Sequence, residues 1–179
     1  MVGIPENQIG PWRIERFTTD TQDWHALFHG RAVPMGKTFT RLMRNSTLVM
    51  SDTPAEKDDL REFAYQVRGE VLIVGLGLGI ALEMAAEKET VKHITVVEKS
   101  PEVIELVWSY YKKKFGDKID IIQADVFEWE IPRGSKWDVV WLDIWDYICR
   151  DNIPEIKKLK QKFARRKKWI GAWAEESIR

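Results

Sequence analysis

Residues Val71–Gly79 read VLIVGLGLG: a short apolar run that breaks into glycines at positions 75, 77 and 79. Val71–Val74 has the composition of a strand buried on both faces, and the helical stretch Ile80–Lys88 follows the glycines directly. Strand, glycine turn and helix in that order let a ligand approach bare backbone, with the helix N-terminus offering N–H groups to anything polar or anionic. A tight strand-to-helix packing turn reads the same way, so the flanking chain has to decide between the two.

Downstream, the alternation is regular. His93–Glu98 (HITVVE) predicts a second strand, and Ser100-Pro101 starts a helix whose Val103, Leu106, Val107, Tyr110 and Tyr111 form one apolar stripe before Gly116. Ile119–Ala124 predicts a third strand, Trp137–Leu142 a fourth and Lys168–Ala174 a fifth, with a helix begun by Asn152 and Glu155 before the last. Ile156, Leu159 and Phe163 point inward from that helix. Strands alternating with helices mean a parallel sheet. The predicted fold is therefore α/β: a Rossmann-like, doubly wound, mostly parallel sheet of about five core strands over residues 53–179.

Upstream, Thr53 as N-cap, Pro54 and Glu56 predict a capping-box start to a helix carrying Leu60, Phe63, Ala64 and Val67 inward and closed by Gly69. Residues 1–52 read as a small β-rich N-terminal extension: strands at Trp12–Phe17, Thr38–Arg44 and Thr47–Ser51, the last two joined by Asn45-Ser46, and a short helix at Asp20–Phe28. Gly36-Lys37-Thr38 lacks the earlier glycine and buried strand of a phosphate-binding loop.

In an open parallel sheet, ligands bind beyond the carboxyl ends of the strands. Four successive strands here end at Gly75, Glu98, Asp125 and Asp143, all on that edge. Glu98 stands 23 residues after Gly75, near the spacing at which an acid accepts both ribose hydroxyls of a nucleoside. Asp125 is placed to accept from an adenine exocyclic amine while the Val126 N–H meets a ring nitrogen. The alternative for each acid is capping of the helix that follows it, a reading that weighs more for Asp125 than for Glu98.

These residues carry a resemblance. Val71–Asp146 resembles the S-adenosylmethionine-binding fold of class I methyltransferases, and most of all its spermidine-synthase branch. The glycine turn Gly75-Leu76-Gly77-Leu78-Gly79, Glu98 with its neighbour Lys99, Asp125 with Val126, and Asp143 fall on that family's cofactor-binding positions. WDVVWLDIWD (Trp137–Asp146) resembles its strand leading to Asp-x-x-Asp, which implies catalytic roles for Asp143 and Asp146. Glu56–Leu60 resembles the acidic helix start that precedes the family's first strand. Leu78 stands where aminopropyl-transferring relatives carry an Asp, Arg61 and Glu62 where they carry a Tyr, and the two strands that usually follow the fifth are missing. The resemblance implies S-adenosyl-L-methionine, or its decarboxylated form, as cofactor, and methyl transfer to a small, amine-bearing acceptor. Aminopropyl transfer and non-catalytic adenosyl-ligand binding are the alternatives.

In that chemistry Asp143 is the base for the acceptor's proton, Asp146 attracts a cationic acceptor, and Trp141, Trp145 and Trp173 offer an aromatic wall. The formal net charge of zero gives no whole-molecule argument for nucleic acid or membrane, and the basic segment Lys157–Lys168 reads as a solvated helix face, favoured over contact with nucleic acid phosphates. His25, His29, His93 and Cys149 lack metal-ligand spacing. A lone cysteine without a leader or an apolar span predicts a cytoplasmic setting. The fifth strand, with Trp169, Ile170 and Trp173 and no neighbour on one side, predicts a homo-oligomer.

Overall fold

The computed structural model describes residues 2–19, 34–147 and 149–175. The predicted helix at Asp20–Phe28, with His25 and His29, lies outside them. The first sheet is antiparallel, in the order β1 (Asn7–Ile9), β2 (Trp12–Thr18), β3 (Thr38–Arg44), β4 (Thr47–Ser51). Asn45 turns the β3–β4 hairpin at φ 55, a conformation that its short polar side chain tolerates.

Parallel strands β5 (Gly69–Val74), β6 (Val91–Glu98), β7 (Ile119–Gln123), β8 (Trp137–Leu142) and β9 (Lys167–Ala172) form the second sheet in the order β7-β6-β5-β8-β9. Val71–Val74 of the central strand is buried throughout, because helices cover both faces. On one face, α3 (Ile80–Ala86) and α4 (Pro101–Phe115) pack Leu82, Val103 and Val107 with Val71, Ile73, Ile94 and Val96. On the other, α5 (Ile153–Lys162) sets Ile156 and Leu159, with Phe163 just past its end, among Leu72, Val74, Val140 and Leu142. That division is the doubly wound arrangement the sequence predicts. Ser100 Oγ accepts from Val103 N at 3.3 Å to start α4, and Gly116 ends it.

The segment before β5 departs from expectation. It forms two short helices, α1 (Pro54–Asp59) and α2 (Arg61–Gln66), broken at Leu60. Thr53 makes no side-chain cap: its hydroxyl pairs with Ser51 Oγ at 3.0 Å, a nearer partner than the helix N–H groups. Gly69 opens β5 instead of closing the helix. Leu60, Phe63 and Val67 are nonetheless buried as their spacing predicts.

The two sheets share a core. Val2, Ile4, Ile14 and Leu42 of the N-terminal region belong to the same buried cluster as Ile73, Val107 and Trp141. Asp52 anchors the sheet's start, accepting from Val2 N and, at 2.7 Å, from Thr40 N.

Candidate functional site

Strand order reverses between the parallel neighbours β5 and β8, which opens a crevice beyond their carboxyl ends. The rim is knit by backbone bonds: Gly75 N donates to Val97 O and Asp143 N to Val74 O, each at 2.8 Å. At Gly75 (φ +98) a side chain is impossible, since a Cβ would lie 1.8 Å from the Asp143 carbonyl oxygen.

Protein groups meet the other two glycines as well. Gly77 (φ +50) lies under Met50 of β4, whose Sδ accepts from Leu78 N at 3.4 Å, and Gly79 (φ +72) lies against the ring of Tyr111 in α4. The Tyr111 hydroxyl donates to Leu78 O at 2.8 Å. So the turn is a packing turn and a cavity wall at once. Gly75 and Gly77 line the cavity, whereas Gly79 is not among its lining residues.

The cavity holds about 580 Å³, room for a nucleoside-sized ligand and a small second molecule. Glu98, Lys99, Asp125, Val126, Asp143 and Asp146 all line it, so β6, β7 and β8 deliver their acids to one space. Glu98 is held at both oxygens: Oε2 accepts from Leu76 N and Oε1 from Ser100 N, each at 2.8 Å. Asp125 pairs with Lys99 Nζ at 2.7 Å through Oδ2 and accepts from Phe127 N at 2.9 Å through Oδ1. The Lys99 ammonium holds the Asp125 carboxyl below its ordinary range, and Asp125 raises Lys99 in turn.

Asp143 differs from these two. It lines the cavity without a salt bridge among the described residues, and burial, with the nearby charges of Asp59 and Glu98, pushes it up to about 7. The neighbouring Trp141 indole N–H pulls the other way, from a position that meets no acceptor in full hydrogen-bond geometry among the described residues. A carboxyl near 7 is poised to take up or release a proton at neutral pH. Asp146, three residues on, is ion-paired with Arg44 of β3, whose guanidinium also lies 5.4 Å from the Trp12 ring centroid.

The tryptophans divide. Trp145 lines the cavity and its Nε1 donates to Glu155 at 2.7 Å. Trp141 is core, stacked on Trp169 at 6.3 Å, and Trp173 packs on the same core away from the cavity.

Sequence reading missed one whole wall. Trp12, Leu42, Arg44 and Met50 reach the cavity from the first sheet, so the N-terminal extension is part of the site. The pairs that bring them there, Arg44 with Asp146 and Met50 with Leu78, join distant residues and leave no local signal. Counting Glu102 and Glu155, six carboxyl groups line the cavity against two cations, in a chain of zero net charge. Among the described residues no group of three or more His, Cys, Asp or Glu side chains could hold a metal ion, and no helix is long and apolar enough to cross a membrane.

Solved structures share this architecture. The spermidine synthase of Thermotoga maritima superposes with a TM-score of 0.52 at 19% identity, covering 94% of this chain and 55% of that one. The fold is Rossmann-like. The N-terminal domain of EvdMO1, solved in the presence of SAH and D-fucose, gives a TM-score of 0.51 at 19% identity over 68% of this chain and 51% of that one. More distant is the methyltransferase domain of bacterial-CtHen1-C, at 0.48 and 15% identity over 65% of this chain and 61% of that one. The chain thus spans about half the length of the first two. No family model and no curated protein matches the sequence.

Proposed function

We propose that this chain binds an S-adenosylmethionine-type cofactor and transfers its methyl group to a small, amine-bearing acceptor. One observation carries the reading: Gly75, Glu98, Asp125 and Asp143, from the ends of four parallel strands, line one cavity at the reversal point of the sheet. The donor set fits the cofactor. Glu98 keeps free lone pairs on both oxygens for vicinal ribose hydroxyls, and the acidic excess of the cavity favours a sulfonium and an ammonium alike.

When bound, S-adenosylmethionine supplies a methyl group already activated by the sulfonium charge. The chain's own residues have the remaining tasks. Glu98 holds the ribose, Asp125 and the Val126 backbone hold the base, and Asp143 takes the acceptor's proton at its carboxyl. Asp146 draws the acceptor's cation, in competition with Arg44. Trp12, Met50 and Trp145 shield the site from water.

Calorimetric titration with S-adenosylmethionine, S-adenosylhomocysteine, decarboxylated S-adenosylmethionine and methylthioadenosine tests this, with Glu98→Ala as control. Micromolar binding of the first two, lost in the control, supports the reading. Preference for the decarboxylated cofactor assigns aminopropyl transfer instead. Silence with all four overturns the enzyme reading.

A further inference from the structure

A second cleft lies at the opposite edge of the parallel sheet, where β8 and β9 begin, and holds about 360 Å³. Its walls come from the turn before β8 and the end of α5: Ser135, Lys136, Gln161, Lys162, Arg165 and Arg166. Among the described residues no carboxylate lines it. Two of the four cations are tied down, but only to neutral carbonyls. Lys162 Nζ donates to Val126 O and Trp129 O, each at 2.6 Å, and Arg166 Nη1 donates to Pro132 O at 3.1 Å. Lys162 also donates to Phe127 O at 3.3 Å, and Asp125 offsets part of its charge; Arg166 is held in place with no carboxylate paired to it among the described residues.

Lys136 and Arg165 are exposed and have no hydrogen bond or ion pair among the described residues. Two carboxylates near in sequence serve other cations: Asp138 pairs with Lys168 and Glu175 with Lys160, each at 2.5 Å. The last carbonyls of α5 offset part of the charge through the helix dipole, equivalent to about half an elementary charge. Four cations converging on a concave surface exceed that. Gln161 and the Ser135 hydroxyl add neutral donors of the kind that hold phosphate oxygens.

We infer that this cleft is a binding site for phosphate groups, separate from the acidic cavity on the opposite sheet edge. Sequence alone favours a solvated face for the basic segment over contact with nucleic acid phosphates. What changes the reading is its convergence, with Lys136 from a different element, on one concave space free of acids.

The test uses the full chain and two probes at about 50 mM salt: inorganic pyrophosphate by calorimetry, and a fluorescein-labelled single-stranded oligonucleotide by anisotropy. The variant Lys136→Glu/Arg165→Glu changes two exposed side chains, and its unfolding midpoint is checked against wild type. Binding of either probe, weakened at least about tenfold in the variant, supports the site; pyrophosphate alone marks a small phosphorylated ligand, the oligonucleotide a nucleic-acid backbone. For the oligonucleotide, losing two phosphate contacts lowers the salt slope by about 1.4. Silence with both probes overturns the inference, as does binding that the variant leaves unchanged. Glu98→Ala leaves this binding intact, so a failure here is distinguishable from a failure at the acidic cavity.

Discussion

Met50 Sδ accepts the backbone N–H of Leu78 at 3.4 Å, which lays a residue of the first sheet on the glycine turn of the second. A thioether is a weak acceptor, so the contact holds the turn by shape more than by bond strength.

That contact makes Gly77→Ala a two-part lesion. The new Cβ sits at φ +50, which costs about 1–3 kcal/mol whatever surrounds it, and 2.8 Å from Met50 Sδ. Met50→Ala removes the second part alone. A double-mutant cycle by urea unfolding is expected to show about 0.5–2 kcal/mol of relief in the double variant. Strictly additive costs would mean that the thioether simply swings aside.

Gly75→Ala has no such escape, because its Cβ meets backbone: the Asp143 carbonyl oxygen at 1.8 Å. We expect it to cost more than about 4 kcal/mol or to prevent folding. Gly116→Ala, at φ +57 with nothing within 4 Å, is expected to cost only the backbone strain, about 1–3 kcal/mol. Equal losses in the two unfolding curves would refute the close approach of turn and strand.

Asp143 gives a pH signature. Its folded value of about 7 lies above the ordinary 3.8, so the unfolded chain binds fewer protons between those limits and stability falls as pH rises through them. The contribution is complete below about 3.8 and gone above about 7. Asp143→Asn mimics the protonated form; it should match wild type near pH 4 and exceed it at pH 8 by a few kcal/mol, to order of magnitude. Parallel pH profiles from chemical denaturation would show that Asp143 titrates like an exposed acid. Under the proposed function, wild-type turnover rises through pH 7 and the variant loses it while still binding S-adenosylhomocysteine.

Arg44→Ala breaks a partly exposed ion pair, so its unfolding midpoint should move by less than about 1 kcal/mol. Asp146 is then available to other cations. n-Butylamine should bind several-fold more tightly to the variant by calorimetry; unchanged affinity removes Asp146 from the acceptor site.

Among the described residues, strand β9 is hydrogen-bonded on one side only, to β8. We propose that a second copy covers this edge. Sedimentation equilibrium at micromolar concentration should report more than one protomer mass, reduced to one by Ile170→Lys. A single protomer mass for the wild type overturns the proposal.

The legible part of this fold is local. Thr38–Arg44, Thr47–Ser51 and Trp137–Leu142 emerge with the predicted bounds, because β-branched and aromatic runs between turn residues specify strands unaided. The acids at three strand ends were legible for the same reason, since each closes an apolar run. What escaped was tertiary. Nothing near Leu60 announces a helix break, and Thr53 looks like a cap until the Ser51 hydroxyl competes for it. Arg44 and Asp146 stand 102 residues apart, and only the finished fold shows that the first sheet closes the cavity of the second.

The two clefts stand at opposite ends of the same strands, one rich in carboxylates and the other in ammonium and guanidinium groups. A chain with no net charge therefore presents opposite signs of charge in clefts at the two edges of one sheet. Near pH 7 it should be retained, in low salt, by both cation and anion exchangers, each gripping a different end.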